Sequence, residues 1–515
     1  MSETFIHEIP LKTTPHIESV LDVRLYAAQC LYNACLGEAL RRLDLMRESK
    51  AYQAARKLPN CTKKKDRGEA FRLCRETHSF NEYSLHSFAA KDKNACWIGD
   101  HLDVNTVQKV ATRAWQAVEQ YAFGKRGRPR FKRKGTYTSV EGKTNKSGIR
   151  WKDGKLQWSG LEISARFDIK DAHGVEAHAL NCDVKYVRLV KRTIKGKPCW
   201  AVQLVLDGQP HQKEKNVVAD DTVGVDIGPS TAAAVGENEA ILVQFCEEVI
   251  QPWQEIKIDQ RTQDRSRRAT NPDNYNPDGT VKKGSKKWYS SNRYKKQQIA
   301  LAEKQRKLAA TRKNLHGRLA NRILTMGKFV KAEKLSYKSF QKNYGRSVAV
   351  RAPGMFVTLL TRKAANAGGS VELLNTRTTK LSQTCVCGTV KKKPLSERHH
   401  DCPTCGASAQ RDLFSGFLAK HCSDNTLDIS RAHLAWPAAK PLLQQAMSRL
   451  TQTANRRHSP ASFGLARRRS CSPVKYGSAI IEAVDVVATG SLSCESYRKM
   501  LTLPLEPPAF RHGEV

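Results

Sequence analysis

Three acidic residues and four cysteines carry the chemistry that can be read from this chain. Asp226 lies in the apolar run Val223-Gly-Val-Asp-Ile-Gly228, Glu333 in Phe329-Val-Lys-Ala-Glu-Lys-Leu335, and Asp412 opens Asp412-Leu-Phe-Ser-Gly-Phe-Leu-Ala-Lys420. A carboxylate set among apolar strand neighbours is costly to bury alone, so it takes a partner, often a metal ion. Singly, each acid also fits a plainer role, at a strand edge or as the N-cap of a helix. Their order along the chain, strand Asp, strand Glu, helix-start Asp, is what singles them out. Between the second and third acids lie Cys385-Val-Cys387-Gly388 and Cys402-Pro-Thr-Cys405-Gly406. Four thiolates in two glycine-punctuated knuckles match a structural Zn²⁺ site. The first knuckle has one residue between its cysteines where two are usual, which leaves His399 or His400 open as a substitute ligand. The chain holds 15 cysteines in all, an odd number, and the others are isolated. That is not a secreted disulfide framework.

The elements that must position these residues follow from hydrophobic periodicity. From about residue 17 to 45, Val20, Leu21, Leu25, Ala28, Leu31 and Cys35 recur at helical spacing, although Pro15 blurs the start. A second helix is predicted from Asp103, a suitable N-cap, with Val107, Val110, Ala111, Ala114 and Val118 on one face. Residues 136–206 alternate in strand fashion, with hairpin signals at Lys152-Asp-Gly-Lys155 and Lys195-Gly-Lys197. Gly142-Lys-Thr144 does not complete a phosphate-binding loop, because Tyr137 stands where its first glycine belongs. Asp226 is predicted on a short strand, with returning strands at 230–235 and 240–244, and Glu333 on another.

Charge sets the class of partner. The 515 residues carry 88 Lys and Arg against 49 Asp and Glu, a formal charge of +39, and nucleic acid is the obvious polyanion to offset it. Two segments concentrate this excess. Lys125, Arg126, Arg128, Arg130, Lys132 and Arg133 fall in a Gly- and Pro-punctuated loop suited to phosphate contact, with Phe123 and Phe131 beside it. A solvated linker would read the same way. In the predicted helix 292–325, Tyr294, Leu301, Leu308 and Leu315 form a narrow stripe. Lys295, Lys296, Lys304, Arg306, Lys307, Arg312 and Lys313 fill the other faces, against the single acid Glu303. A coiled coil is the competing reading, though its flanks usually mix both signs of charge. No run approaches the ~18 apolar residues of a membrane span, and the N-terminus is too polar for a secretory signal.

Together, Gly-Val-Asp226-Ile-Gly, Glu333 after an apolar strand, Thr379-Lys-Leu-Ser-Gln-Thr-Cys-Val-Cys-Gly388, Cys-Pro-Thr-Cys-Gly406 and Gln410-Arg-Asp412 resemble the TnpB family. These are the RNA-guided nucleases of bacterial transposons, related to the compact type V CRISPR effectors. The motifs run from about residue 222 to 421. The resemblance implies a multidomain α+β chain with the following layout. Residues 1–122 would form a helical recognition module with an N-terminal strand, and 123–215 a basic loop and β-barrel wedge domain. Residues 216–380 and 409–422 would form a RuvC (RNase H-like) α/β nuclease domain, split by a zinc ribbon at 381–408. A partly disordered C-terminal extension would fill 423–515. The extension and the shortened first knuckle depart from the common pattern.

The resemblance also implies that Asp226, Glu333 and Asp412 are the nuclease acids. Three carboxylates converging at a sheet end can hold two divalent cations for phosphodiester hydrolysis, and hard oxygen ligands suit Mg²⁺ or Mn²⁺. It further implies guide RNA and target double-stranded DNA as partners, a short motif flanking the target, and a prokaryotic cytoplasmic chain, nucleoid-associated when bound to DNA. Two other readings remain open. One is an RNA-guided DNA-binding protein that represses without cutting; the other is a DNA transposase, which the zinc ribbon fits badly.

Overall fold

Helix α1 (Pro15–Glu48) starts at the proline that blurs its sequence pattern. Thr14 caps it, its hydroxyl accepting from Ile17 N at 3.3 Å, and Pro15 occupies the first turn, where no backbone N–H is needed. This computed structural model describes residues 4–58, 64–453 and 460–465. They lie in one unit, Met1–Ala466; of the expected C-terminal extension, residues 454–459 and the chain from Ala466 onward fall outside the described residues. Leu21, Leu25, Ala28, Leu31 and Cys35 of α1 are buried. Helices α2 (Lys50–Lys57), α3 (Lys64–Thr77) and α4 (Glu82–Asn94) follow. Then comes α5 (Val104–Ala122), with its expected apolar face buried.

A four-stranded antiparallel sheet joins β1 (Thr4–Pro10), β7 (Lys197–Asp207), β6 (Val184–Ile194) and β2 (Ser139–Glu141), in that order. Beside it lie the three strands β3 (Arg150–Lys152), β4 (Lys155–Trp158) and β5 (Leu161–Ser164), and the short helix α6 (Val175–Leu180). Both hairpin signals form tight turns. Asp153 and Gly154, and likewise Lys195 and Gly196, take positive φ at both central positions, the geometry that matches strand twist. Strand β1 pairs with β7 from Thr4↔Asp207 to Pro10↔Ala201, a long-range pairing with no local signal. It therefore completes the sheet of the following segment rather than the helical module.

Helices and strands share one core running from Ile9 to Leu206. Asp103 links them. One carboxylate oxygen caps α5 by accepting from Thr106 N at 3.0 Å, and the other accepts from the indole of buried Trp158 at 2.9 Å. The Arg24 guanidinium lies over the same indole, 5.0 Å from its centroid.

The second core surrounds a mixed five-stranded sheet. Its strands are β8 (Thr222–Ile227), β9 (Thr231–Val235), β10 (Ala240–Gln244), β11 (Phe329–Glu333) and β12 (Ser370–Leu374), ordered β10-β9-β8-β11-β12. The first three are antiparallel; β11 and β12 run parallel to β8. After β10 come α7 (Ile250–Thr270) and α8 (Asn292–Leu324), and after β11 come α9 (Tyr337–Arg351) and α10 (Pro353–Asn366). The turn α11 (Thr376–Thr379) and the two-stranded β13 (His399–Asp401) and β14 (Ser408–Gln410) lead into α12 (Arg411–Lys420). One face of the sheet packs on residues of α8 and α10, the other on α12 and α13 (Ile429–Thr453).

This last helix changes the reading of the C-terminal extension. Up to Thr453 the chain belongs to the sheet's core, with Ala432, Ala439, Leu443, Ala446 and Leu450 buried beside Leu242 and Phe414. Pro437 and Pro441 lie inside the helix and disguise it as a loop in the sequence. No helix among the described residues is long and apolar enough to cross a membrane.

Candidate active site

Strand alternation decides which side chains of β8 face outward from the α8 side. Val223, Val225 and Ile227 enter the core beneath α8 and α10, so Gly224 and Asp226 face the opposite side, with Val235 and Ala233 of β9 as their register partners. On the other flank, Lys331 of β11 pairs with Gly224 and Ala332 with Val225. The next residue, Glu333, therefore arrives level with Asp226.

Helix α12 lies across this face because Gly224 has no side chain. A Cβ at Gly224 would stand 2.0 Å from the Gly416 carbonyl oxygen and 2.5 Å from Lys420 N. Backbone thus rests on backbone, and Asp412, one turn before Gly416, falls beside Asp226. Gly224→Ala is expected to lift α12 and destabilise the fold by about 3 kcal/mol, at the upper end of overpacking costs. An unfolding temperature equal to the parent's would refute this packing role.

Asp412 does not cap α12. Gln410 does, its side-chain oxygen accepting from Leu413 N at 2.8 Å, which frees the Asp412 carboxylate. One of that carboxylate's oxygens accepts a hydrogen bond from the buried Thr231 hydroxyl at 3.2 Å. All three acids are half-buried, and their charges interfere. Burial, then Asp412 and Glu333, push Asp226 well above the carboxylate range, with Arg411 and Arg398 opposing. Burial raises Glu333 to about 7 against the pull of Arg411, and raises Asp412 against that of Arg398. Arg411 is itself buried and anchored, donating to the carbonyls of Pro394 (2.8 Å) and Glu397 (3.1 Å). Tyr337 adjoins Asp226, and burial raises its phenol to about 12.

Three mutually repelling, half-buried carboxylates form a donor set that fits hard divalent cations. The sign of the pH effect follows. Their folded-state pKa values lie above the unfolded ones, so their contribution to stability is full below the ordinary carboxylate value and is lost as pH rises through about 7 for Glu333. The unfolding temperature of chelator-treated protein is expected to fall from about pH 5 to pH 8. Added Mg²⁺ should offset that fall, because the cation binds only the folded set. A pH-independent melt in chelator would contradict the assignment.

The four cysteines meet in space. Cys385 Sγ is 3.5 Å from Cys405 Sγ, Cys387 Sγ is 3.6 Å from Cys402 Sγ, and all four sulfurs lie within 4.8 Å of one another. A tetrahedron with Zn–S near 2.3 Å has edges of about 3.8 Å, so the set can hold a metal ion such as zinc. The short first knuckle closes through Gly388 at φ 84°, whose N–H donates to Cys385 O at 3.0 Å. Neither histidine is recruited. His399 is exposed, 3.8 Å from Asp401, and His400 stacks on Phe414 with its Nδ1 2.5 Å from Lys393 Nζ.

The proposed phosphate-binding cations fall into two groups. Lys125, Arg126, Arg128, Arg130, Lys132 and Arg133 are all exposed, and their loop is strapped to α1. Lys132 N donates to Asn33 at 2.8 Å, and Arg128 pairs with Asp44 at 3.0 Å. On α8, Leu301 is buried and Leu308 and Leu315 pack on the core, while Lys295, Lys296, Lys307 and Lys313 are exposed. Lys304 bonds Asp259 of α7 at 2.6 Å and Arg306 bonds Glu303 at 2.7 Å. Arg312 departs from the expectation: its guanidinium donates to the carbonyls of Ala349 and Val350 at the C-terminus of α9, where a cation offsets the helix dipole. Sequence reading overlooked Thr231, Gly224, Arg398 and Arg411. Only Arg411 carried a signal, sitting inside the Gln-Arg-Asp motif.

Residues 354–415, from α10 through the cysteine knuckles to the start of α12, match the family model of the Cas12f1-like TNB domain. No curated protein matches the chain in sequence. Among solved structures, the chain is similar over 81% of its length to 98% of a chain in a cryo-EM structure of a Cas12f1–sgRNA–target DNA complex, at 13% identity and a TM-score of 0.40. A cryo-EM CRISPR–Cas12f ternary complex gives 14% identity and a TM-score of 0.29, with 78% of this chain and 82% of that one covered. The mini RNA-guided endonuclease CRISPR-Cas_phi3 gives 13% and 0.28, covering 54% and 57%. These are loose likenesses of fold. The matched model belongs to the compact type V effectors that the sequence motifs resemble.

Proposed function

We propose that this chain, which resembles the compact type V effectors, is an RNA-guided DNA endonuclease. The observation that carries the reading is the convergence of Asp226, Glu333 and Asp412 from β8, β11 and α12 onto one face of the sheet. The five-stranded order, an antiparallel trio followed by two parallel strands, supports a RuvC (RNase H-like) nuclease domain. The four-thiol cluster would be its zinc ribbon. The N-terminal helices and the antiparallel sheets β1-β7-β6-β2 and β3-β4-β5 would serve as recognition and wedge domains for guide RNA, target DNA and a short flanking motif.

Asp226, Glu333 and Asp412 would hold Mg²⁺ or Mn²⁺, which when bound activates a water and stabilises the leaving 3′ oxygen. The chain's own groups arrange the rest. Thr231 fixes one oxygen of Asp412, Gln410 sets the start of α12, and Arg398 and Arg411 temper the repulsion among the acids. Exposed lysines and arginines would grip phosphates, so affinity should fall steeply with salt.

The test is to sequence the RNA that copurifies with the protein and supply a guide of that type with a matched plasmid. Cleavage that requires both guide and divalent cation is the expected result. Guide-dependent binding without any cut would favour a repressor, and joined transposon ends a transposase; either would overturn the endonuclease reading.

A further inference from the structure

We propose that the connection between α7 and α8, residues 271–291, is a preformed clamp for the phosphate backbone of a nucleic acid duplex. The proposal rests on the reading that the chain handles nucleic acid. α8 alone has 33 residues, so at about 1.5 Å per residue the connection stands about 50 Å from the sheet end of the helix.

Its fold is specified by side-chain hydrogen bonds to the backbone, part-buried at Asn271 and exposed at Asn274 and Asp278. Asn271, buried, donates from its amide to the carbonyls of Arg267 and Tyr289, both at 3.0 Å, and accepts from Tyr289 N at 2.7 Å. Asn274 donates to Lys287 O at 2.8 Å, and its own carbonyl accepts from Lys282 N at 3.0 Å. Asp278 folds the tip by accepting from both the N–H and the hydroxyl of Thr280, at 2.8 and 2.7 Å. Two aromatic rings are already occupied: the Arg267 guanidinium lies 3.7 Å from the Trp288 centroid and Arg268 lies 5.5 Å from that of Tyr275. These rings are not free to stack on bases. The exposed side chains are mostly cationic, with Asp273, Asp278 and Tyr289 beside the lysines.

Some cations on the helices that carry this tip are paired, whereas Lys295, Lys296 and Lys307 of α8 are exposed like those of the tip. Along the hairpin, Arg268 pairs with Asp264, Lys304 with Asp259 and Arg306 with Glu303. At the tip, Lys282, Lys283 and Lys287 are exposed, and among the described residues none has a carboxylate partner. No acid occurs between Asp278 and Glu303. A rigid frame thus holds like charges together, at a cost in repulsion that a row of phosphates would relieve. A preorganised frame also loses less entropy on binding than a flexible lysine tail.

The test titrates the full chain with 30-base-pair RNA and DNA duplexes of the same sequence over a range of salt. A Lys282→Ala, Lys283→Ala, Lys287→Ala triple variant is expected to keep the parental unfolding temperature. Its log affinity against log salt should be shallower by roughly 2 to 3, about one unit per lost phosphate contact. The duplex that shows the larger loss identifies the partner. Removing three exposed lysines elsewhere (Lys170, Lys391 and Lys440) should leave the slope near the parent's. Asn271→Ala, with every charge kept, should weaken binding several-fold by loosening the frame. A parental slope in the triple variant, an equal loss in the control, or parental affinity in Asn271→Ala would overturn the clamp. Neither guide nor cleavage enters these titrations, so the clamp and the endonuclease reading can fail separately.

Discussion

Asp226→Ala is expected to bind guide RNA and target DNA as the parent does while cutting at least about a thousandfold more slowly. That factor corresponds to roughly 4 kcal/mol, within the several kcal/mol that metal-borne charge stabilisation supplies. Asp226 stands between the other two acids in effect, because its own charge is opposed by both of them. Removing it would take away a proposed cation ligand and leave the exposed lysines untouched, so affinity and chemistry should separate. A companion variant sharpens the test. Asp226→Asn removes a repelling charge at constant volume, so in chelator at about pH 8 it should melt higher than the parent. Parental cutting by Asp226→Ala would sink the site. A lower melt for Asp226→Asn in chelator would show that repulsion among the acids is not what strains the cation-free fold.

Disabling the cysteine cluster, which could hold a zinc ion, should have the larger effect on stability. Cys385, Val386, Cys402, Ala407 and Ala409 are buried in the same core as Leu413, Phe414 and Phe417 of α12. The knuckles are thus part of the packing that seats Asp412. Structural zinc sites bind with about 10–16 kcal/mol in small domains that fold around the metal. Cys402→Ser, which replaces a soft thiolate, is expected to cost several kcal/mol and to lower the unfolding temperature sharply. Elemental analysis should give one zinc per parent chain and less in the variant, and cleavage should fall with it because α12 loses its footing. A Cys402→Ser protein with full zinc content and parental melting would remove the metal from the fold.

Much of the site was legible because its signals are local. An Asp in an apolar strand, a Glu at a strand end and paired cysteines each announce themselves within a few residues. Helix α8 was readable for the same reason, with Leu301, Leu308 and Leu315 spaced by sevens. Failures fall where the deciding partner is remote. Arg312 reads as one more outward cation, yet it serves the C-terminus of α9. The residues of α13 read as an extension, since Pro437 and Pro441 interrupt a helix whose burial only the sheet explains. His400 is a plausible ligand by spacing and a core residue by packing, stacked on Phe414.

The sequence by itself determined the donor types: three hard carboxylates in strand, strand and helix order, four soft thiols, and a +39 field suited to a polyanion. Those are properties of residue chemistry and short-range spacing. Only the tertiary structure decided that the acids share a face, that Gly224 lets α12 approach closely enough to bring Asp412 there, and which cations are spent on internal pairs. Each of these depends on strand register and backbone-to-backbone distance between segments far apart in the chain. No local pattern encodes that a Cβ at Gly224 would stand 2.0 Å from the Gly416 carbonyl oxygen.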